Sequence, residues 1–276
     1  MSEAATSQAG DLEARPEAAR PRRGDHFVQS LERGLAVIRA FDVETPERTL
    51  SEVARETTLT RAAARRFLLT LVDLGYVQTD GRLFRLTPRV LELGYAYLSS
   101  LELPEVAEPY LQELSDEVAE SSSVGVLSGD EVVYVQRIPV ARIMAVTISV
   151  GTRFPAFATS MGRVLLAGLE PAELKSYLER IELSALTDRT LATKASLRKE
   201  IERVANQGYA IVDQELEEGL RSVAVPIHDV DGTVVAAINI SAHVSRKTRE
   251  EVRREFLPAL AATASRIETD LRMAAG

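Results

Sequence analysis

The sequence predicts an α+β chain in which an N-terminal winged helix-turn-helix is followed by a linker helix and a C-terminal α/β domain. Residues 50–86 have the pattern of a short helix, a tight turn, an arginine-bearing helix and a hairpin, which is the order of parts in a winged helix-turn-helix. After residue 104 helical and strand patterns alternate, as in a sheet covered by helices. The chain has 276 residues, 45% of them hydrophobic, enough to bury a core in each of two domains.

The first helix of the motif begins at a capping box. In Thr49-Leu-Ser-Glu52 each of the two end residues can bond the backbone N–H of the other, and Val53 and Ala54 then face inward. After a short turn the second helix is predicted to run from Thr60 to Leu74, and Gly75 ends it.

The second helix is predicted to have an apolar face and an exposed, positively charged face. Arginine can bond guanine or phosphate, and the small Ala62 and Ala63 let the backbone approach base edges. Arg65 and Arg66 point away from the apolar face and Arg61 lies at its border. At about 100° per residue, the apolar stripe consists of Ala64, Phe67, Leu68, Leu71 and Leu74.

The wing is predicted over residues 76–86, as two short strands around Asp80-Gly81, the strongest short hairpin signal. Together with the two helices it predicts binding of double-stranded operator DNA. The alternative is a small helical domain whose arginines only solvate its surface. The predicted DNA-contacting residues are Ser51, Thr60, Arg61, Ala62, Ala63, Arg65, Arg66 and Arg82.

The DNA-binding domain is predicted over residues 25–86. Residues 1–24 before it are polar, alanine-rich and aperiodic, which is typical of a disordered tail. The arginines at 20, 22 and 23 belong either to a minor-groove arm or to a solvated tail. The domain opens with a helix from Gln29, whose predicted core face is Leu31, Leu35, Ile38 and Phe41.

The linker helix is predicted over residues 87–103, because Thr87-Pro88 places a helix N-cap beside an N1 proline. It is expected to end before Pro104. Its apolar face, which a second subunit is predicted to cover, consists of Val90, Gly94, Tyr97, Leu98 and Leu101.

Residues 104–276 are predicted to form an antiparallel sheet with helices on its faces, an arrangement typical of GAF/PAS-like α/β effector domains that sense small molecules. The last helix begins at a second capping box, Thr248-x-x-Glu251, and runs to about residue 273. The other predicted helices are 106–118, 159–168, 171–181 and 197–206. The predicted strands are 124–127, 132–136, 143–150, 209–213, 222–227 and 234–240.

Composition argues against several classes of protein. No segment approaches the roughly 18 apolar residues of a membrane span, and the N-terminus lacks the apolar region of a secretory signal. The absence of cysteine excludes disulfides and cysteine-based zinc sites, and these features together favour a cytoplasmic protein. The net charge of −8 is concentrated after residue 86, since residues 27–85 contain nine arginines and eight acidic residues.

From about Phe27 the whole chain resembles the IclR-type bacterial transcription regulators. Residues 29–35, 59–71, 81–86 and 91–94 carry this resemblance in the first domain. In the second domain it is carried by residues 151–166 and 213–226. With Arg137-Ile-Pro and Arg142-Ile-Met, these last two stretches are most similar to the subgroup that regulates the β-ketoadipate pathway of aromatic catabolism.

The resemblance implies a winged-helix domain joined by a helix to a GAF-like effector domain, in homodimers that pair into tetramers. Many members carry Ser-Thr where this chain has Ala62-Ala63. Hydroxyl contacts to DNA are therefore missing, and Arg61 and Arg65 are expected to contribute more of the sequence readout.

The resemblance also implies that an effector lies against the helix that begins near Thr159. Free N–H groups and the positive end of the helix dipole, at Thr159, Ser160, Met161 and Gly162, suit a carboxylate. The expected ligand is a small aromatic or oxo carboxylate: protocatechuate, 4-hydroxybenzoate or β-ketoadipate. Each candidate residue also has a structural alternative, in core packing or turn capping. The further candidates are Met144, Asp213, Arg221, Ser222, Asn239 and Ser241.

Two other functions are alternatives to an effector-responsive regulator. An enzyme would need a nucleophile beside a base, or a metal, yet His26, His228 and His243 have no metal-ligand spacing and no glycine-rich phosphate loop is present. We therefore predict no catalytic activity, no metal and no cofactor. The second alternative is a regulator whose C-terminal domain only oligomerises or senses an unrelated metabolite.

Overall fold

The computed structural model describes residues 26–42, 45–93, 102–140 and 148–274. Its contacts divide the chain after Leu93 into two compact units. The predicted N-terminal tail, residues 94–101 of the predicted linker helix and Met144 lie outside the described residues. Within the described ranges, every helix is too short or too polar to cross a bilayer.

The first unit combines three helices with a small antiparallel sheet in its described part, which confirms the predicted winged helix-turn-helix. The strand order is β1-β3-β2. Strand β1 was not predicted, because its three polar residues have no strand pattern of their own and are held in place by pairing with β3. In chain order the elements are α1 Gln29–Arg39, β1 Glu47–Thr49, α2 Leu50–Glu56, α3 Arg61–Asp73, β2 Val77–Thr79 and β3 Leu83–Leu86.

The predicted core face of α1 is wrong in its first half. Leu31 is 62% exposed and Leu35 is 45% exposed. Helix α1 meets α3 around Gly34, where an added Cβ would lie 3.8 Å from the Phe67 ring, and the turn before this point is exposed. The buried residues here are Val37 in α1 and, directly after the helix, Ala40 and Phe41.

The local signals around α2 and α3 are confirmed. Thr49 and Glu52 form the predicted capping box, and Val53 and Ala54 are buried. The stripe of α3 packs inward at Ala64, Leu68 and Leu71, and Phe67 is half-buried. Leu74 was placed in this stripe incorrectly: it is the C-cap of α3 and is 51% exposed, because the helix has ended where it would turn inward.

The segment after the wing begins with a cap, as predicted, but its first turn is tighter than an α-helix. Pro88–Leu91 is a 3₁₀ turn, and the Thr87 hydroxyl accepts the Arg89 N–H at 3.3 Å. The Arg89 guanidinium donates to the Leu74 carbonyl at 2.8 Å and lies 5.3 Å from the centre of the Tyr76 ring. The end of the wing is thereby attached to the end of α3.

The second unit is an antiparallel sheet in the order β6-β5-β4-β9-β8-β7, with helices on both faces, which confirms the predicted α/β architecture. Its strands are β4 Ser121–Ser128, β5 Glu131–Ile138, β6 Arg153–Pro155, β7 Ala210–Asp213, β8 Leu220–His228 and β9 Val234–His243. Its helices are α4 Glu102–Val118, α5 Ser160–Ala167, α6 Pro171–Arg180, α7 Lys194–Gln207 and the C-terminal α8, made of Arg249–Glu251, the π-helical Val252–Phe256 and Leu257–Ala274.

The sheet separates two hydrophobic cores. Helices α4 and α8 pack on one face, and α5, α6 and α7 pack on the other. Successive side chains of a strand point to opposite faces of the sheet, so the same strands contribute residues to both cores. Val124 and Ile238 face α4 and α8, whereas Val132 and Ala237 face α5. This arrangement places the N-terminus of α5 against the centre of one sheet face.

Two predictions for this unit are wrong. The helix break at Pro104 is absent, because a buried stripe of α4 continues across the proline from Leu103 through Ala107 to Leu111. The strand predicted over residues 143–150 is irregular where it is described, at 148–150, and residues 141–147 lie outside the described residues. The strand that pairs with β5 is instead Arg153–Pro155.

Candidate DNA-binding surface and effector cavity

The DNA-contacting candidates of α3 lie together on one exposed surface. Arg61, Ala62, Arg65 and Arg66 are all exposed. None of the three arginines forms an ion pair with an acidic side chain in the part of the chain that is described. Their charges therefore remain available for phosphate or for guanine.

The candidates at the helix starts have a structural role as well. The Thr60 hydroxyl accepts the Ala63 N–H at 3.2 Å and so caps α3. Ala63 is half-buried, while Ser51 is exposed in the first turn of α2. Thr60 therefore holds the arginine-bearing helix at its N-terminus, which is the end that enters the major groove in helix-turn-helix proteins.

The wing ends in a preformed turn. The Asp80 Oδ1 accepts the N–H groups of Arg82 at 2.8 Å and Leu83 at 2.7 Å, and these bonds hold the pKa of the Asp80 carboxyl below its usual range. Gly81 has a φ of +96°, which favours glycine at this position. The exposed Arg82 is thereby presented at the tip of the hairpin.

A narrow cavity lies between the N-terminus of α5 and the sheet. It brings together five of the predicted effector-binding residues: Thr159, Ser160, Ser222, Asn239 and Ser241. Its walls are closely apposed and leave room for about one water molecule. The other residues that line it are Tyr134, Ile148, Ala158, Val212, Leu216 and Leu220.

Two buried polar atoms in this cavity have no partner. The Ser160 Oγ and the Asn239 Oδ1 make no hydrogen bond within the described residues, although Asn239 Nδ2 donates to the Ser241 Oγ at 3.1 Å. Burial raises the pKa of Tyr134 to about 12, so its phenol stays protonated at neutral pH. Buried polar groups without a partner are costly, and a polar ligand would satisfy them.

The start of α5 adds two backbone donors. The Thr159 hydroxyl accepts the Gly162 N–H at 3.0 Å, and the Thr159 N–H points to the Ala156 carbonyl at 3.4 Å. The N–H groups of Ser160 and Met161 have no acceptor among the described residues. Of the four residues predicted to bind an anion, only Ser160 and Met161 therefore offer backbone N–H groups without an acceptor in the described part of the chain.

Met161 and Gly162 contribute backbone rather than side chain. The Met161 side chain is fully buried in the core, where a Cβ added to Gly125 would lie 3.1 Å from its Cε. A Cβ on Gly162 would lie 2.1 Å from the Ala156 carbonyl oxygen, so only glycine lets α5 pack this closely on the preceding turn.

We expect Gly162→Ala to lower the unfolding free energy by about 1–3 kcal/mol, because α5 must move away from the Ala156 backbone. Urea denaturation of the full-length protein measures this. Gly34→Ala in α1 is the control: its nearest neighbour is at 3.8 Å, so the helix gains up to about 1 kcal/mol from the better helix former. Equal stability of Gly162→Ala and wild type would contradict the close packing of α5.

Asp213 and Arg221 do not line the cavity. They pair with each other at 3.0 Å, and Arg221 also donates to the Lys247 carbonyl. Arg189 lies 3.8 Å from the same Asp213 oxygen. Arg221 is thus already neutralised, and the pair joins β7 to β8 instead of facing a ligand.

A buried ion pair supports the wall of the cavity behind Ser160. Arg163, 1% exposed, donates to Glu215 through both terminal nitrogens, one of them at 2.9 Å, and its Nε donates to the Phe157 carbonyl at 3.2 Å. The Glu200 Oε1 lies 3.6 Å from the Arg163 Nη1. Glu215 precedes Leu216, so this pair connects α5 to the loop that closes the cavity.

The sequence did not identify the apolar lining of the cavity or Arg163. Tyr134 follows the inward alternation of β5, which is a signal for burial but not for a ligand. Leu216 comes from the connection between β7 and β8, where no periodic pattern assigns a direction to a side chain, and Leu220 is the first residue of β8.

Two family models match the chain. The model described as the IclR helix-turn-helix domain matches residues 30–81. The model described as the C-terminal part of the bacterial transcriptional regulator IclR matches residues 95–269. The two matches coincide with the arginine-bearing helical motif and with most of the α/β unit.

Individual relatives agree over nearly the whole chain. The Pca regulon regulatory protein of Pseudomonas putida is 49% identical over 86% of this chain and 81% of its own length, and the p-hydroxybenzoate hydroxylase transcriptional activator of Acinetobacter baylyi is 34% identical over 92% and 96%. Among solved structures, a transcriptional regulator of Rhodococcus sp. RHA1 has a TM-score of 0.79 at 57% identity, covering 89% of this chain and 98% of its own. An IclR homologue of Microbacterium hydrocarbonoxydans complexed with 4-hydroxybenzoate has a TM-score of 0.76 at 26% identity, covering 88% and 98%. The chain therefore belongs to the IclR family of bacterial transcriptional regulators.

Proposed function

We propose that this regulator reads operator DNA with the exposed face of α3 and responds to a small carboxylate bound in the cavity beside α5. The observation that carries the proposal is the pair of buried polar atoms without partners, Ser160 Oγ and Asn239 Oδ1, in one cavity with the free N–H groups of α5. A site of this kind is costly when empty and is stabilised by a ligand with matching polar groups.

The names of the relatives support an aromatic acid or one of its breakdown products as the effector. One relative is named as the regulator of the Pca regulon, another as the transcriptional activator of p-hydroxybenzoate hydroxylase, and a structural neighbour holds 4-hydroxybenzoate. We extend this to the present chain: its effector is protocatechuate, 4-hydroxybenzoate or β-ketoadipate, and its target genes serve aromatic-acid catabolism. The protein acts in the cytoplasm, where the bacterial DNA lies.

The proposed mechanism is a shift between two arrangements of the protein. Because the cavity has room for about one water molecule, an aromatic acid binds only if its walls move apart. The effector therefore favours an open arrangement, and by linkage the operator affinity changes by the same free energy that the operator confers on effector binding. Dimers that pair into tetramers would transmit this change to the spacing of the DNA-binding domains.

The main alternative is a C-terminal domain that oligomerises without a ligand. Such a domain would have no use for unpartnered polar atoms around a cavity, and an apolar lining would be more stable. An enzymatic role has less support, since the relatives are named as transcriptional regulators.

Replacing Ser160 by leucine is the direct test. The larger side chain fills the cavity, so we expect affinity for 4-hydroxybenzoate, protocatechuate and β-ketoadipate to fall at least about tenfold, as overpacking of a tight site predicts. Operator affinity without effector should remain within about twofold of wild type, because α3 is in the other unit. Calorimetry and operator-binding anisotropy measure the two affinities.

Ser176→Leu is the matched control, since Ser176 is an exposed serine of α6 that does not line the cavity. It should leave both affinities unchanged. Unaltered effector binding by Ser160→Leu would show that the effector binds elsewhere. Absence of binding of all three acids to wild type would reject the proposed ligand class and leave DNA binding untouched.

A further inference from the structure

We propose that Arg137, beside the cavity, supplies the positive charge that binds an effector carboxylate. The inference rests on the effector-binding function proposed above and assigns the charge recognition within it. Arg137 is the first residue of the Arg-Ile-Pro stretch noted in the sequence. Neither the fold nor the DNA-binding surface explains why a positively charged residue occupies this position of β5.

The register of the sheet places Arg137 in one row with a residue that lines the cavity, although Arg137 itself is not part of the lining. Arg137 on β5 is directly opposite Ser123 on β4, and Ser123 is directly opposite Asn239 on β9. Side chains at opposite positions of antiparallel strands lie on the same face of the sheet. The arginine is therefore in one cross-strand row with Asn239, which lines the cavity beside Ser160.

The charge of Arg137 is poorly compensated. Its Nη1 donates to the Ser123 hydroxyl at 3.2 Å, and its buried Nε has no acceptor. No carboxylate within the described ranges forms an ion pair with it. The neighbouring buried arginines differ in this respect, since Arg163 pairs with Glu215 and Arg221 with Asp213.

The electrostatics around Arg137 favour the binding of an anion. Burial lowers the pKa of Arg137, because the charged guanidinium loses water without gaining a carboxylate. The guanidinium nevertheless stays charged at neutral pH. The neighbouring Tyr134 phenol is neutral there, so it cannot serve as the counter-ion. A ligand carboxylate would provide the missing charge and accept a hydrogen bond from Nε.

The test compares full-length wild type with Arg137→Gln, which removes the charge, and Arg137→Lys, which keeps it. Affinities for protocatechuate, 4-hydroxybenzoate and β-ketoadipate are measured by calorimetry, with urea denaturation of each variant as the test of folding. Arg198→Gln is the control, because Arg198 is an exposed arginine of α7 outside the cavity. We expect Arg137→Gln to lose about ten- to hundredfold in affinity for the acid that wild type binds best, as for a hydrogen bond to a charged group. Arg137→Lys should lose clearly less, and Arg198→Gln nothing.

Three other results would overturn either the role of Arg137 or the effector proposal. Binding by Arg137→Gln within twofold of wild type would overturn the role of Arg137 and leave the effector proposal intact. Equal losses in Arg137→Gln and Arg137→Lys would also overturn it, since shape rather than charge would then be recognised. Failure of wild type to bind any of the three acids would overturn the effector proposal and this inference with it.

Discussion

Arg163→Ala is expected to lower the unfolding free energy by about 3–5 kcal/mol, the usual loss when one partner of a buried ion pair is removed. The substitution leaves the Glu215 carboxylate buried without its cation and frees the Phe157 carbonyl. Because Leu216 follows Glu215 and lines the cavity, effector affinity should fall as well. Urea denaturation of the full-length protein, followed by tyrosine fluorescence, measures the stability.

Two further variants separate a buried charge from an ordinary salt bridge. Arg180→Ala removes a half-exposed pair with Asp130 at 2.7 Å and should cost only about 0–1 kcal/mol. The double variant Arg163→Met/Glu215→Leu removes both buried charges, and its stability should lie much closer to that of wild type. Losses of the same size in Arg163→Ala and Arg180→Ala would contradict a structural role for the buried pair.

The double variant Arg61→Ala/Arg65→Ala is expected to lose about 2–6 kcal/mol of operator-binding free energy, since each base-contacting arginine contributes about 1–3 kcal/mol. Both side chains are exposed on α3 and have no acidic partner among the described residues. The two neighbouring alanines offer no hydroxyl contacts in their place. Fluorescence anisotropy with the operator upstream of the chain's own gene, at fixed salt, measures the loss.

Salt dependence and a control arginine show what kind of contact is lost. If Arg65 contacts a base, Arg65→Ala reduces the difference between the affinity for the operator and the affinity for an unrelated duplex. If it contacts phosphate, all duplexes weaken equally and the slope against salt becomes shallower by about one. Arg33→Ala on α1, outside the α2–α3 motif, should leave operator binding unchanged. Unchanged affinity in the Arg61/Arg65 variant would place the DNA-binding surface elsewhere.

Local signals in the sequence predicted most of the elements. Capping boxes at Thr49 and Thr248, and the turn at Gly81, depend only on residues next to one another in the chain. The errors occur where a distant element decides burial. Leu31 and Leu35 fit a helical stripe but are exposed, and β1 is held in place by its pairing with β3.

The candidate site was predicted in part for the same reason. The start of α5, the proposed anion-binding helix end, is a property of a short stretch, so the sequence indicated Thr159 and Ser160, which line the cavity. Arg221 was selected for its charge, and only the structure shows that Asp213 neutralises it. Arg137 has the same charge in the sequence, and its missing counter-ion is visible only when the strands are paired.

The sequence by itself determined the winged helix-turn-helix and the α/β architecture, because caps, turns and hydrophobic periodicity act over a few residues. It indicated the family of regulators through the resemblance of several separate stretches to known members. The tertiary structure alone decided which polar groups face the cavity and which cations remain uncompensated. Charge pairing and burial depend on distances between residues far apart in the chain, such as Arg163 and Glu215, and no local pattern encodes these distances.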